Sequence, residues 1–121
     1  MPSNLLRLPN TDSNSAYLRL CRMLGRRSHP ARFPGALPRF LIEFLTDPGD
    51  VVVDIFSGSN TTREAAELIG RRWLSMEPDC GYAALAAVRF MNGWNDDEVR
   101  RTMARLGARE IIEIEDAALP I

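Results

Sequence analysis

The stretch Val51–Glu77, VVVDIFSGSNTTREAAELIGRRWLSME, constrains the fold of this chain more than any other. It predicts a short β-branched strand, a loop of small residues, a helix ended by Gly70, a second strand and then an acid. The first strand, VVVDIF, alternates little in polarity, as expected when both faces of a strand are covered. Strand, helix and strand in this order form a parallel βαβ unit. Asp54 and Glu77 end the two strands, which is the outline of a nucleotide-type cofactor site.

Helices are predicted before this unit. Residues 16–24 have helical spacing, with Ser13 or Ser15 as the cap. The strongly apolar segment ALPRFLIEFLT is expected to form a second helix, with Pro38 in its first turn. Its broad buried stripe is predicted to consist of Leu37, Phe40, Leu41, Phe44 and Leu45.

Helices are also predicted after the unit. Asp79 is expected to cap a long helix that runs to Asn92, and Asn95 or Asp96 to cap a last one. Residues 110–114, EIIEI, are compatible with either a short strand or a tail.

The number of strands limits the architecture. Two parallel strands, at most three, do not form an independently stable sheet, because parallel sheets need helices on both faces and more strands to protect their edges. We therefore predict a single incomplete α/β domain with flanking helices over residues 1–121. Its segments are a lead-in with a helix (1–28), a loop and apolar helix (29–46), the βαβ unit and its following helix (51–92), and a last helix and tail (93–121).

Composition excludes several classes of protein. The chain of 121 residues has no apolar run long enough to span a membrane, and its first residues do not resemble a signal peptide. We therefore expect a cytoplasmic protein. Cys21, Cys80 and a single His lack metal-ligand spacing, so a metal site is not expected, and both thiols are predicted to be buried in a reducing compartment.

The net charge of −1 conceals a strong asymmetry. Residues 1–42 hold seven Arg and one acid, a balance of +6, whereas the remaining residues have a balance of −7. This pattern predicts either a surface for a polyanion such as DNA or a solvated helix face whose Arg side chains form salt bridges.

The loop after the first strand, SGSNTT, has the chemistry of a binding loop. Small residues at Ser57, Gly58 and Ser59 let the backbone approach a ligand, and the free amides of the following helix favour a carboxylate or phosphate. Asp54 can accept from an ammonium group. An acid beside amide donors suits an amino-acid-like ligand better than a pyrophosphate, and the absence of Lys excludes a P-loop. The alternative is a strand–helix turn that merely requires small residues.

Two further segments fit the same ligand. The carboxylate of Glu77 has two acceptor oxygens and can bind both hydroxyls of a ribose. In HPARFP, Phe33 and Pro34 are placed to wall an adenine or methionine pocket. Arg32 and His29 are candidates to contact a carboxylate or a DNA phosphate, although the spacing favours a capping or packing role for His29 over a ligand role.

These motifs together resemble a known family. HPARFP, DIFSGSNTT and the Glu after the second strand are similar to motifs X, I and II of S-adenosylmethionine-dependent DNA amino-methyltransferases, in particular the cytosine-N4 enzymes of restriction–modification systems with the catalytic half first. The resemblance covers their C-terminal, cofactor-binding part. It implies a partial Rossmann-like methyltransferase fold with S-adenosylmethionine as cofactor. The residues that it assigns to the cofactor are His29, Arg32, Phe33, Pro34, Asp54, Phe56, Gly58, Ser59, Asn60, Thr61 and Glu77.

The chain also departs from this family. Arg63 stands where the family often has Gly, and an Arg there is a candidate to contact an anion. The Pro-Pro-aromatic motif that holds a flipped base does not occur, since these residues contain no Pro-Pro pair, and no catalytic residue is assigned.

The resemblance therefore implies the cofactor-binding portion of a site-specific DNA methyltransferase acting on cytosine N4 or adenine N6. Its expected partners are double-stranded DNA and a complementing catalytic subunit or a second copy of the chain. The alternative is a non-catalytic interaction or DNA-contact module built on the same half-fold.

Overall fold

The predicted βαβ unit is present, which confirms the α/β class. The computed structural model describes residues 4–9 and 15–114; the candidate cap Ser13 and both ends of the chain lie outside these ranges. The elements are α1 (Ser15–Met23), α2 (Ala36–Leu45), β1 (Val51–Asp54), α3 (Thr61–Leu68), β2 (Arg72–Ser75), α4 (Cys80–Ala86), a 3₁₀ helix (Ala87–Phe90) and α5 (Asp96–Gly107).

The strands pair in parallel and thereby bring two loops together. Asp54 lies opposite Ser75 at the carboxyl end of the pair. Backbone pairing continues past the strands, since the Met76 N–H donates to the Asp54 carbonyl and the Ser57 N–H to the Met76 carbonyl, both at 2.9 Å. The loop after β1 is therefore fixed beside the segment after β2, which includes Glu77.

One face of the sheet is covered and the other is open. Val52 and Trp73 pack on α3 in a small cluster. The expectation that β1 is covered on both faces is wrong, because the helix that packs on the strands in the described chain, α3, lies on one side only. The apolar side chains of the open face are 49–57% exposed; they are Val51, Val53, Ile55, Leu74 and Met76.

Helix α2 buries a narrower stripe than predicted. Its buried residues are Pro38 and Ile42, with Ile42 packed against α3. Leu41, Phe44 and Leu45 are 43%, 65% and 71% exposed, so the prediction that they are buried is wrong. The helix is apolar almost all round, and periodicity alone does not determine which of its faces has a packing partner.

A second core joins α1, α4, the 3₁₀ helix and α5. The long helix predicted to reach Asn92 ends at Ala86 and continues as a 3₁₀ helix to Phe90. We attribute this change to tertiary contacts made by Arg89 and Phe90, which override local propensity. Cys21 is buried as predicted, but Cys80 is exposed because it begins α4 at the surface.

The C-terminal segment is only partly described. Asn95, rather than Asp96, caps α5 through a capping box with Glu98. Residues 110–114, the EIIEI segment, form no strand in the described part of the chain. Of the two alternatives, a short strand or a tail, this favours the tail. No helix within the described ranges is long and apolar enough to cross a bilayer.

Candidate functional site

A cavity of about 500 Å³ lies at the carboxyl end of the two strands. Three segments enclose it: the loop between α1 and α2, the loop after β1, and the residues that follow β2. This is the position where open parallel sheets generally bind ligands. The lining residues are His29, Ala31, Arg32, Phe33, Phe56, Ser57, Gly58, Ser59, Thr61, Glu77 and Pro78.

Eight of the eleven residues assigned from the sequence line this cavity. The other three, Pro34, Asp54 and Asn60, lie beside it. The Asp54 carboxylate accepts from the Phe56 N–H at 3.1 Å and shapes the chain as it leaves β1. Pro34 precedes α2, and its carbonyl accepts from the Leu37 N–H at 3.0 Å. Ala31 and Pro78 line the cavity without having been predicted, because nothing in their side chains distinguishes them from spacers.

The carboxylate of Glu77 is fixed in the cavity wall. Its Oε2 accepts from the Gly58 N–H at 2.8 Å, and its Oε1 accepts from the Asp79 N–H at 3.0 Å. Each carboxylate oxygen can accept from more than one donor. Glu77 is therefore preoriented to accept from a pair of ligand hydroxyls without breaking its bonds to the backbone.

Gly58 is required by its conformation and by its neighbour. Its φ is +52°, and a Cβ placed there would lie 3.1 Å from Cε1 of His29. The His29 ring is held by an edge contact with Tyr82 at 4.6 Å between centroids and by its Nδ1, which accepts from the Ala31 N–H at 3.2 Å. His29 thus has the packing role considered from the sequence, and it also lines the cavity, while its contact with an anion stays a prediction.

The cavity has a cationic wall and two apolar walls. Arg32 donates to Ser28 Oγ at 3.0 Å and to the His29 carbonyl at 2.5 Å, while its buried Nε has no hydrogen-bond partner. Phe33 and Phe56 contribute rings that are 38% and 73% exposed. A lining that combines a cation, the Glu77 carboxylate and aromatic surface suits a ligand that has an anionic end, a pair of hydroxyls and an apolar ring.

A buried arginine also supports the loop after β1. Arg89 is 5% exposed, and its Nε donates to the Ser59 carbonyl. Its Nη2 donates to Thr61 Oγ1 at 3.1 Å and its Nη1 to Glu64 Oε2 at 2.6 Å. Burial lowers the pKa of Arg89, and attraction to the Glu64 carboxylate opposes that shift. The sequence holds one signal for this role, which is the position of Arg89 inside an apolar helical segment.

Arg63 has a different role from the one considered in the sequence. Its guanidinium lies between the rings of Trp73 and Phe90, with Cζ 3.5 Å from the Trp73 ring centroid, and it is not among the cavity-lining residues. Burial lowers its pKa to about 9, and attraction to Glu67 opposes that shift. The group remains charged at neutral pH, where the two ring faces favour the cation. The anion contact considered for Arg63 therefore does not occur in this cavity.

In residues 4–9 and 15–114, no three His, Cys, Asp or Glu side chains cluster in a way that could hold a metal ion.

Comparison with known proteins points to one family. The profile of the DNA methylase family of N6 and N4 type matches residues 3–88. The chain is 50% identical over 92 residues to the type II methyltransferase M.PvuII of Proteus hauseri, and 43% identical over 58 residues to the type II methyltransferase M.BglI of Bacillus subtilis. These matches cover 76% and 48% of this chain but only 27% and 17% of the two relatives.

A solved structure matches the fold as well. The PvuII DNA methyltransferase (cytosine-N4-specific) superposes with a TM-score of 0.85 at 44% sequence identity, over 90% of this chain and 39% of that one. The partial α/β fold described above is therefore shared with a part of that methyltransferase.

We predict that Gly58→Ala lowers the free energy of unfolding by more than about 1 kcal/mol, since it adds strain at positive φ and displaces the His29 ring. Urea denaturation measures the change, and the His29 ring resonances report the displacement. Gly107→Ala is the matched control, because Gly107 is the last residue of α5 and a Cβ there would meet nothing within 4 Å. We expect this variant to lose no stability. Equal losses in the two variants would contradict the role assigned to Gly58.

Proposed function

The chain belongs to the DNA methylase family of N6 and N4 type, and we propose that it is the S-adenosylmethionine-binding portion of a site-specific DNA methyltransferase that modifies cytosine N4. The observation that carries the proposal is the cavity at the carboxyl end of β1 and β2, which collects residues from all three segments that resemble cofactor motifs. The similarity to M.PvuII and to the cytosine-N4-specific PvuII structure supports cytosine N4 over adenine N6.

The lining residues fit S-adenosylmethionine by their chemistry. Glu77 would accept from the ribose hydroxyls, since its carboxylate has acceptor capacity beyond its two backbone bonds. The unpartnered Nε of Arg32 would donate to the methionine carboxylate. Phe33 and Phe56 would flank the adenine.

The remaining cofactor residues have narrower roles in the proposal. Ser59 and Thr61 would offer hydroxyl groups, and Gly58 and His29 would close the pocket. We assign supporting roles to Asp54, which bonds the Phe56 amide, and to Pro34 and Asn60, which lie outside the lining. When bound, the cofactor supplies an electrophilic methyl group, and the residues of this chain orient it and exclude water.

The base-binding half of the reaction is proposed to come from another segment. No Pro-Pro-aromatic motif occurs in the sequence, and the described residues leave one apolar face of the β1–β2 sheet open. Parallel sheets are normally covered on both faces, and a contiguous exposed apolar patch marks an interface. We propose that a segment with the base-binding motif and further strands packs on this face; a second copy of the chain is the alternative occupant.

The proposed substrate is double-stranded DNA, which agrees with the family and with the cytoplasmic location expected from the sequence. The positively charged residues 1–42 would face its phosphates. In the non-catalytic alternative, the same surface would contact DNA or a partner without any requirement for the cofactor.

Binding of S-adenosylmethionine to the intact chain tests the cofactor site. In calorimetric titrations, Glu77→Ala should weaken binding at least tenfold, or about 1.4 kcal/mol, because the preoriented carboxylate is lost. Glu113→Ala, which removes an exposed carboxylate near the C-terminus, should leave the affinity unchanged. Thermal denaturation of the same samples verifies that the variants are folded. Absence of binding to the unmodified chain would refute the proposal.

Methyl transfer to DNA tests the open sheet face. The chain is mixed with the part of the PvuII methyltransferase that it does not cover, labelled S-adenosylmethionine and unmethylated plasmid DNA. We expect N4-methylcytosine from the mixture and none from either polypeptide alone. Val53→Asp, in the centre of the open face, should abolish transfer, whereas Ile111→Asp, at a side chain 95% exposed outside that face, should not. Equal transfer by the two variants would contradict docking on this face.

A further inference from the structure

The Arg89 guanidinium donates hydrogen bonds to several acceptors in the loop Ser57–Thr61. Besides the Ser59 carbonyl and Thr61 Oγ1, its guanidinium reaches Ser59 Oγ at 3.3 Å. The fixed plane of a guanidinium matches such a set of acceptors, which a flexible ammonium group would not. Arg89 comes from the 3₁₀ helix, 30 residues beyond Ser59 in the chain. The contact is therefore a tertiary one that defines the shape of the loop.

The loop needs support of this kind. Gly58 and Asn60 have φ values of +52° and +65°, so the turn departs twice from ordinary backbone. The buried Asn60 Oδ1 has no hydrogen-bond partner and does not hold the turn. The Gly58 N–H donates to the Glu77 carboxylate, and the Ser59 carbonyl accepts from Arg89. An acid thus holds the peptide group between Ser57 and Gly58, and a base holds the one between Ser59 and Asn60.

The same guanidinium also supports the second wall of the cavity. Its Cζ lies 4.7 Å from the ring centroid of Tyr17, and the Tyr17 hydroxyl accepts from the His29 N–H at 3.2 Å. The His29 ring in turn packs against Gly58. Movement of the Arg89 guanidinium would therefore affect both the loop and the segment that faces it.

Stability alone is a weak reason for this arrangement. A buried ion pair such as Arg89–Glu64 can often be replaced by apolar residues without loss of stability, so stability does not by itself explain a charged group here. We propose that Arg89 is a positioning residue that holds the loop Ser57–Thr61, and through Tyr17 the His29 segment, in the shape that binds the cofactor. The inference rests on the cofactor role proposed above.

The test compares Arg89→Met and Arg89→Lys with Val99→Ala. Val99 is fully buried in the second core and is outside the cavity lining, so its truncation lowers stability without touching the loop. Three quantities are measured on the intact chain: the melting temperature, hydrogen exchange of the amides of residues 58–61, and the affinity for S-adenosylmethionine.

We expect Arg89→Met to raise both the exchange rate at residues 58–61 and the dissociation constant at least tenfold. Arg89→Lys, which retains the charge but not the planar set of donors, should shift both in the same direction by a smaller factor. Val99→Ala should lower the melting temperature and leave the affinity within twofold of the unmodified chain.

The outcomes separate this inference from the proposed function. The positioning role would be overturned if either Arg89 variant had the same affinity for S-adenosylmethionine and the same exchange rates at residues 58–61 as the unmodified chain. If the unmodified chain does not bind S-adenosylmethionine, the proposed function fails, and local exchange at residues 58–61 still decides whether Arg89 holds the loop. If Arg89→Met does not fold, Arg89→Lys supplies the decisive comparison.

Discussion

The hydrogen bond between the Gly58 amide and the Glu77 carboxylate joins the ends of two strands and, with them, the two sides of the cavity. It depends on the parallel register that sets Asp54 opposite Ser75, because only this register brings the loop after β1 beside the residue two positions beyond β2. It also depends on glycine, since a side chain at this positive φ would collide with His29. The cavity follows from these constraints.

Local patterns were sufficient to predict the βαβ unit and most of the cavity. The β-branched run, the small-residue loop and the acid after β2 each act over a few neighbouring residues, and parallel pairing then brings their ends together. The same patterns did not predict which faces of α2 and β1 are exposed. Whether Phe44 or Val53 is buried depends on which other elements cover that face, and an apolar pattern does not contain this information.

Arg63 and Arg89 show a second limit of local patterns. Arg63 lies close in sequence to the loop Ser57–Thr61 but packs between two aromatic rings and is outside the cavity lining. Arg89 lies far from the loop in sequence but bonds directly to it. The aromatic partners of Arg63 and the acceptors of Arg89 lie on other elements of the fold. The contacts of such side chains are determined by packing rather than by periodicity.

The central claim is that this cavity holds S-adenosylmethionine, and a titration of the isotopically labelled chain with S-adenosylhomocysteine, followed by amide NMR, tests it most directly. The demethylated product has the same ribose and amino-acid groups and is chemically inert. The account predicts saturable shifts concentrated at Gly58, Ser59, Thr61, Glu77 and the segment from His29 to Phe33. Absence of shifts, or shifts confined to residues outside the cavity, would contradict it.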